Sequence, residues 1–203
     1  MNETRWSSLS SFCVEYPPDD KIGHFLAYVS LAPFIVIVSF VTLGINNREV
    51  PTLAFFAGQL MNETINVILK QIIRQPRPPS THLFARSHSR YGMPSQHCQF
   101  MAFFTVYCCL YLYQKANHKR EADRFLLMFF QIVTLLGVAI SRVYLLYHTT
   151  IQCICGCTIG AILGKIWFHI VYKFIEPNTH LIRNHSLLKN LDLRPANTKE
   201  SQD

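Results

Sequence analysis

The chain has 203 residues, half of them hydrophobic, and a formal charge of +7 at neutral pH. That length suits one domain, but the apolar content is high for a soluble one, and the apolar residues gather in runs near the roughly 20 needed to cross a bilayer. A soluble fold is excluded, and no nucleic acid partner is needed to explain the charge, because the lysines and arginines flank apolar runs where they can face anionic lipid.

Residues 1–23 are polar and carry Pro17 and Pro18, so they read as a lumenal or interfacial arm without a cleavable signal peptide. Asn2-Glu3-Thr4 is a formal glycosylation sequon there. Residues 24–45 are the first predicted span, with no charge after His24 and with Pro33 tolerated inside it, as membrane helices allow. A short polar turn at 46–51 then implies an antiparallel neighbour.

Residues 52–74 hold Gln59, Asn62, Glu63, Asn66 and Lys70 at spacings that place them along one helical face. Such a stripe is costly against lipid, so the segment is either a spanning helix whose polar side faces the other spans or an amphipathic helix in the interface. Pro76, Pro78 and Pro79 end it. Residues 80–93 form a loop rich in His, Ser and Arg, and Pro94-Ser95-Gln96-His97 opens the next helix, whose free N–H groups favour an anion.

After an apolar run at 100–113 comes a basic loop with Lys115, Lys119, Arg120 and Arg124, cytoplasmic by the positive-inside rule. The run at 125–140 leads to Ser141, Arg142 and His148, and the run at 151–172 carries Gly156, Gly160 and Gly164, a small-residue face suited to packing within the chain. Residues 176–203 form a polar cytoplasmic tail, where Asn184-His185-Ser186 is a sequon out of reach of glycosylation. Six of the seven cysteines lie in or beside apolar runs as small buried side chains, with Cys13 outside; Cys153, Cys155 and Cys157 alternate around a helix, which argues against a metal site.

The organisation expected is therefore an arm at 1–23, a transmembrane domain at 24–175 and a tail at 176–203, all-α, a polytopic helical bundle of about five spans. With that count Lys70 and Arg77, Ser95 and His97, and Arg142 and His148 emerge on one membrane face, opposite the basic loop, and the charge rule places that face outside or in a lumen. Lys70, Arg77 and Arg142 can hold and neutralise phosphoryl oxygens, and the Ser95 hydroxyl with its helix start adds hydrogen bonds. His97 and His148 are side chains able to act near neutrality.

Lys70 followed after six residues by Arg77-Pro78, then Pro94-Ser95-Gln96-His97, then Ser141-Arg142 followed after five residues by His148, resemble the three-part signature of the type 2 phosphatidic acid phosphatase superfamily. The closer resemblance is to its dolichyl diphosphate phosphatase branch in the endoplasmic reticulum, on Tyr91-Gly92-Met93-Pro94-Ser95 with His97, on Ser141-Arg142-Val143-Tyr144-Leu145-Leu146-Tyr147-His148, and on Glu15-Tyr16-Pro17, and it covers roughly residues 15–190. It implies that His148 attacks phosphorus to give a phosphohistidine and that His97 protonates the leaving oxygen, with Lys70, Arg77, Ser95 and Arg142 holding the phosphate and no metal or other cofactor. The implied substrate is dolichyl diphosphate and the products are dolichyl phosphate and inorganic phosphate, recycling the carrier lipid of protein N-glycosylation. Membrane lipid is the other partner, and no obligate protein partner is implied.

The alternatives are a broader lipid phosphate or isoprenyl diphosphate phosphatase, and an inactive polyisoprenyl phosphate binder. Two departures from the superfamily pattern bear on them. Gln96 replaces a glycine, and Gln152 replaces an aspartate four residues after the nucleophile, so that it can orient the imidazole but not stabilise its charged form. Glu63 either faces the site as a substitute carboxylate or pairs with Lys70 or Arg74. Arg74, Arg86 and Arg90 either guide a diphosphate or form a solvated loop. Tyr91, Tyr144 and Tyr147 are expected to be interfacial anchors and wall residues.

Overall fold

The computed structural model describes residues 7–9, 14–17, 19–79, 90–115 and 120–180; Arg86, Lys119, Cys13, both sequons and the tail beyond residue 180 lie outside them. In chain order it runs β1 (Ser7–Leu9), β2 (Val14–Tyr16), α1 (Lys21–Val29), α2 (Ala32–Asn47), α3 (Val50–Ile73), α4 (Gln96–Gln114), α5 (Glu121–Tyr144) and α6 (Thr150–Ile170), which continues into a wider turn at Val171–Ile175. β1 and β2 pair antiparallel, Ser8 opposite Glu15.

The first predicted span is not one helix. The Pro33 ring excludes the carbonyl four residues back, at Val29, and α1 ends there while α2 begins at Ala32 with the proline in its first turn. Ser30, whose hydroxyl donates to Ala27 O at 2.7 Å, closes α1. Asp20 starts α1 by accepting from Ile22 N at 3.0 Å.

Among the described residues, three segments are long and apolar enough to cross a membrane: Lys21–Asn47, Glu121–Tyr144 and Thr150–Ile175. Their outer faces are apolar and open, as at Phe125, Phe129, Phe130, Ile151 and Ile154, which suits lipid rather than water. The protein is a multi-pass membrane protein. At 24 and 19 residues, α3 and α4 are about 36 and 28 Å long, but they carry polar residues inward. The α3 stripe turns into the bundle, where Gln59, Asn62, Asn66 and Lys70 are buried, while Leu60, Val67, Ile68 and Ile72 point outward.

An amide ladder joins α3 to α4. Asn66 donates to Gln99 Oε1 at 2.8 Å, Gln99 donates to Asn62 Oδ1 at 2.9 Å, and Gln59 donates to Phe100 O at 3.3 Å. In a low-dielectric interior such paired amides fix one register between helices. On the other side of α4 the glycine face of α6 meets bare backbone. A Cβ on Gly156 would lie 2.5 Å from Ser95 O and one on Gly164 2.7 Å from Phe103 O, and Gly160 abuts Gln99 O, so no larger residue fits at that separation. These contacts hold the start of α4 against the start of α6, where the candidate residues gather. At the opposite end Lys115 pairs with Glu176 at 2.7 Å and lies over the Tyr172 ring.

Candidate active site

Four helix ends converge. Lys70 comes from the last turn of α3, Ser95 and His97 from the start of α4, Arg142 from the last turn of α5, and Gln152 from the first turn of α6. His148 lies in the short link between α5 and α6, held by its own N–H, which donates to Arg142 O at 3.1 Å. Arg77 reaches in from the segment after α3, which is tied to the segment before α4 by a bridge between Pro76 and Tyr91 and by the Gly92 N–H donating to Gln75 O at 2.8 Å.

The His148 ring is 3 % exposed, and each nitrogen has a distinct environment. Nδ1 faces two acceptors, Gly92 O at 2.9 Å and Gln152 Oε1 at 3.2 Å, so the ring proton belongs there and Nε2 carries the lone pair. Nε2 faces Arg77 Nη1 at 3.4 Å. Burial, then the charges of Arg142 and Arg77, hold the imidazole well below its ordinary pKa, so it is neutral. Burial likewise lowers Arg77.

Gln152 is fully buried and its orientation is dictated by its partners. Nε2 donates to Pro76 O at 2.9 Å and Gln75 Oε1 at 3.3 Å, while Oε1 accepts from Thr149 N at 3.2 Å, closing a capping box on α6. Its backbone carbonyl also accepts from Ser95 N at 3.0 Å. Through its side-chain amide and its backbone carbonyl, Gln152 thus ties the segment after α3, the link before α6 and the start of α4 together around His148.

The other predicted residues fall around this core. Arg142 is 5 % exposed and stacks on Tyr147, its guanidinium carbon 3.9 Å from the ring centroid. Arg142 Nε and Ser95 Oγ are buried with no hydrogen-bond partner among the described residues. His97 lies within electrostatic reach of Arg142, Lys70 and Arg77. Lys70 donates to Gln96 Oε1 at 3.3 Å, and Gln96 Nε2 donates to Glu63 Oε2, so Gln96 links the lysine to the carboxylate in place of the direct pairing considered for Glu63. Arg74 and Arg90 are exposed, and Arg74 bends back to Gln71 O. Ser141 donates to Val138 O within its own helix, away from the site.

Sequence reasoning missed three groups. Gly92 O, Gln75 and Pro76 O act through backbone or through Gln152, and a backbone acceptor has no residue identity to read. Gly92 did stand in the Tyr91-Gly92-Met93-Pro94-Ser95 motif, and the structure gives the reason for a glycine there: a Cβ would sit 2.6 Å from Gln152 Oε1. Tyr147 is more than the anchor expected. Its carbonyl accepts from Arg77 at 3.0 Å and its hydroxyl accepts from Glu15 N at 2.9 Å.

Residues 51–176, which contain every one of these candidates, match the PAP2 superfamily. The chain belongs to the PAP2 superfamily. Within it, the chain is 40 % identical over 207 residues to Dolichyldiphosphatase 1 of Homo sapiens, covering 92 % of this chain and 85 % of that one. It is 36 % identical over 200 residues to Dolichyldiphosphatase of Saccharomyces cerevisiae, covering 93 % and 83 %. It is also 35 % identical over 170 residues to Lipid phosphate phosphatase gamma of Arabidopsis thaliana, covering 81 % and 73 %. No solved structure matches this PAP2 chain significantly.

Proposed function

We propose that this membrane hydrolase converts dolichyl diphosphate to dolichyl phosphate and inorganic phosphate, on the lumenal face of the endoplasmic reticulum, and so recycles the carrier lipid of protein N-glycosylation. The observation that carries the chemistry is the neutral His148 with Nδ1 turned to Gly92 O and Gln152 Oε1, leaving the Nε2 lone pair toward Arg77, beside the unpartnered Arg142 Nε and Ser95 Oγ. Buried donors without acceptors are costly, and a phosphoryl group is the ligand that would satisfy them. The named relatives support the substrate. The lumenal placement is supported by Lys115, Arg120 and Arg124 on the far side of α4 and α5.

His148 Nε2 attacks the terminal phosphorus in line, forming a P–N bond as the bond to the bridging oxygen breaks. Arg77, Arg142 and Lys70 hold the equatorial oxygens, with Ser95 Oγ and the first N–H groups of α4 adding donors. His97, charged once the bound diphosphate offsets Arg142, Lys70 and Arg77 around it, protonates the bridging oxygen, so dolichyl phosphate leaves. His97 then takes a proton from water, which attacks phosphorus, releases inorganic phosphate and returns the electron pair to Nε2. Gly92 O and Gln152 keep the Nδ1 proton in place throughout, the orienting part of what an aspartate would do.

A second reading, a broader lipid phosphate phosphatase, is favoured by the likeness to the Arabidopsis thaliana relative. Both are tested by phosphate release from dolichyl diphosphate, dolichyl phosphate and phosphatidate, using purified protein in detergent with EDTA, beside His148→Ala. Selective release from the diphosphate, abolished in His148→Ala, is the expected result. Equal or faster release from phosphatidate would move the protein to the broader class, and no release from any of the three would overturn both.

A further inference from the structure

The N-terminal strand lies outside the 51–176 segment that matches the superfamily, yet it touches the catalytic link. β2 presents the Glu15 N–H to the Tyr147 hydroxyl, and Val14 packs with Ala27, Leu145 and Tyr147 in one buried cluster. Tyr16 stacks on His24 of α1 at 4.7 Å between ring centroids, which fixes the strand to the helix that follows it.

Tyr147 passes that support on to both arginines. Its ring face lies under Arg142, and its carbonyl holds Arg77 Nη1. A guanidinium stacked on a ring is fixed in plane while its N–H groups stay free at the edge. That is the state of Arg142, whose Nε is buried and has no hydrogen-bond partner among the described residues. Without the ring the guanidinium loses the surface that fixes its plane.

We infer that Tyr147 is a positioning residue for the phosphoryl site, and that strand β2 belongs to the catalytic apparatus because it holds Tyr147 by its hydroxyl. The inference rests on the proposed function only for the identity of the anion. Tyr147 touches no reacting atom. It acts by setting where Arg142 and Arg77 meet phosphate oxygens, so its loss weakens anion binding and substrate KM more than turnover of bound substrate.

The test uses the full-length protein in detergent, with orthovanadate as the probe of the phosphoryl site and dolichyl diphosphate as substrate. Tyr147→Leu removes the ring and is expected to weaken orthovanadate inhibition and raise KM by about 10- to 30-fold, while kcat falls less. Tyr147→Phe keeps the ring and carbonyl and is expected to restore most of that, leaving a loss of about three-fold from the missing hydroxyl bond. Glu15→Pro removes the donor of the same bond and is expected to lose at least as much as Tyr147→Phe, and it should cost less in the Tyr147→Phe background than alone.

Orthovanadate affinity and KM within two-fold of the parent in a folded Tyr147→Leu protein would overturn the inference. If Tyr147→Leu does not give a monodisperse protein, the Tyr147→Phe and Glu15→Pro pair decides: less-than-additive losses sustain the inference, and additive losses or none overturn it. Where the parent releases no phosphate from dolichyl diphosphate, the proposed function fails, but orthovanadate binding read as a rise in Tm still compares the same variants.

Discussion

Two glutamines stand where the superfamily pattern has other residues, and the regions around them differ in kind. Gln152 is sealed in the inner wall behind His148, and both ends of its amide are engaged with groups that leave no choice of orientation. Gln96 is exposed at the rim, and among the described residues its amide spans Lys70 and Glu63. The same side chain is therefore architecture in one place and adjustment in the other. Burial decides which, because a sealed amide cannot exchange a lost partner for water.

The largest effect expected from breaking the contrast is at the inner wall. Gln152→Ala strands Pro76 O and Thr149 N–H, removes one of the two acceptors on His148 Nδ1, and loosens the joint between the segment after α3 and the start of α6. Turnover should fall by on the order of 100-fold and Tm by several degrees, as expected for several buried groups left unpaired. Turnover within three-fold of the parent would show that Gly92 O alone fixes the imidazole.

A charge at the same position sharpens the comparison through pH. In the proposed mechanism His148 attacks as the neutral ring, and burial with Arg142 and Arg77 holds its pKa well below the ordinary 6.5. The acid limb of the kcat/KM profile set by this group is therefore expected below that value, so lowering the pH through 6.5 should not by itself titrate His148. Gln152→Asp places a carboxylate beside Nδ1, which favours the charged ring and should move the acid limb upward by about one unit. It also leaves Pro76 O without its donor, so kcat should drop by roughly ten-fold at the plateau. A profile measured for both proteins checks the sign, and an unmoved limb would show that His148 does not set it.

How much of this was legible follows from which signals are local. The polar stripe of α3 showed in the sequence because helical period is a local property, and Gln59, Asn62, Asn66 and Lys70 do line one buried face. The glycine face of α6 was legible for the same reason. Pro33 was seen, but its consequence was not, because whether a membrane helix bends or stops depends on what can satisfy the freed carbonyls; here Ser30 and a second start at Ala32 supply the answer. The cations and histidines announce themselves by residue type and spacing. Gly92 O and Pro76 O have no such mark, and Tyr147 resembled an interfacial anchor because its stacking on Arg142 exists only once α5 has turned into the link.

The smallest effect belongs to the rim. Gln96→Gly restores the superfamily residue and removes both amide bonds, which sets Lys70 free of a neutral acceptor and leaves Glu63 Oε2 without its donor. The backbone N–H groups that open α4 remain, so the anion still meets the helix start. Two opposed changes follow: Lys70 loses a partner that fixed its ammonium, but it no longer has to leave that partner to reach phosphate. Each is worth about one hydrogen bond, so KM for dolichyl diphosphate should shift by no more than about five-fold in either direction, with kcat and Tm nearly unchanged. A fall in kcat as deep as that of Gln152→Ala would place Gln96 in the chemistry and erase the distinction between rim and wall. A rise in KM without loss of kcat would assign the rim to capture of the substrate, with Lys70 aimed at it through Gln96 and Glu63.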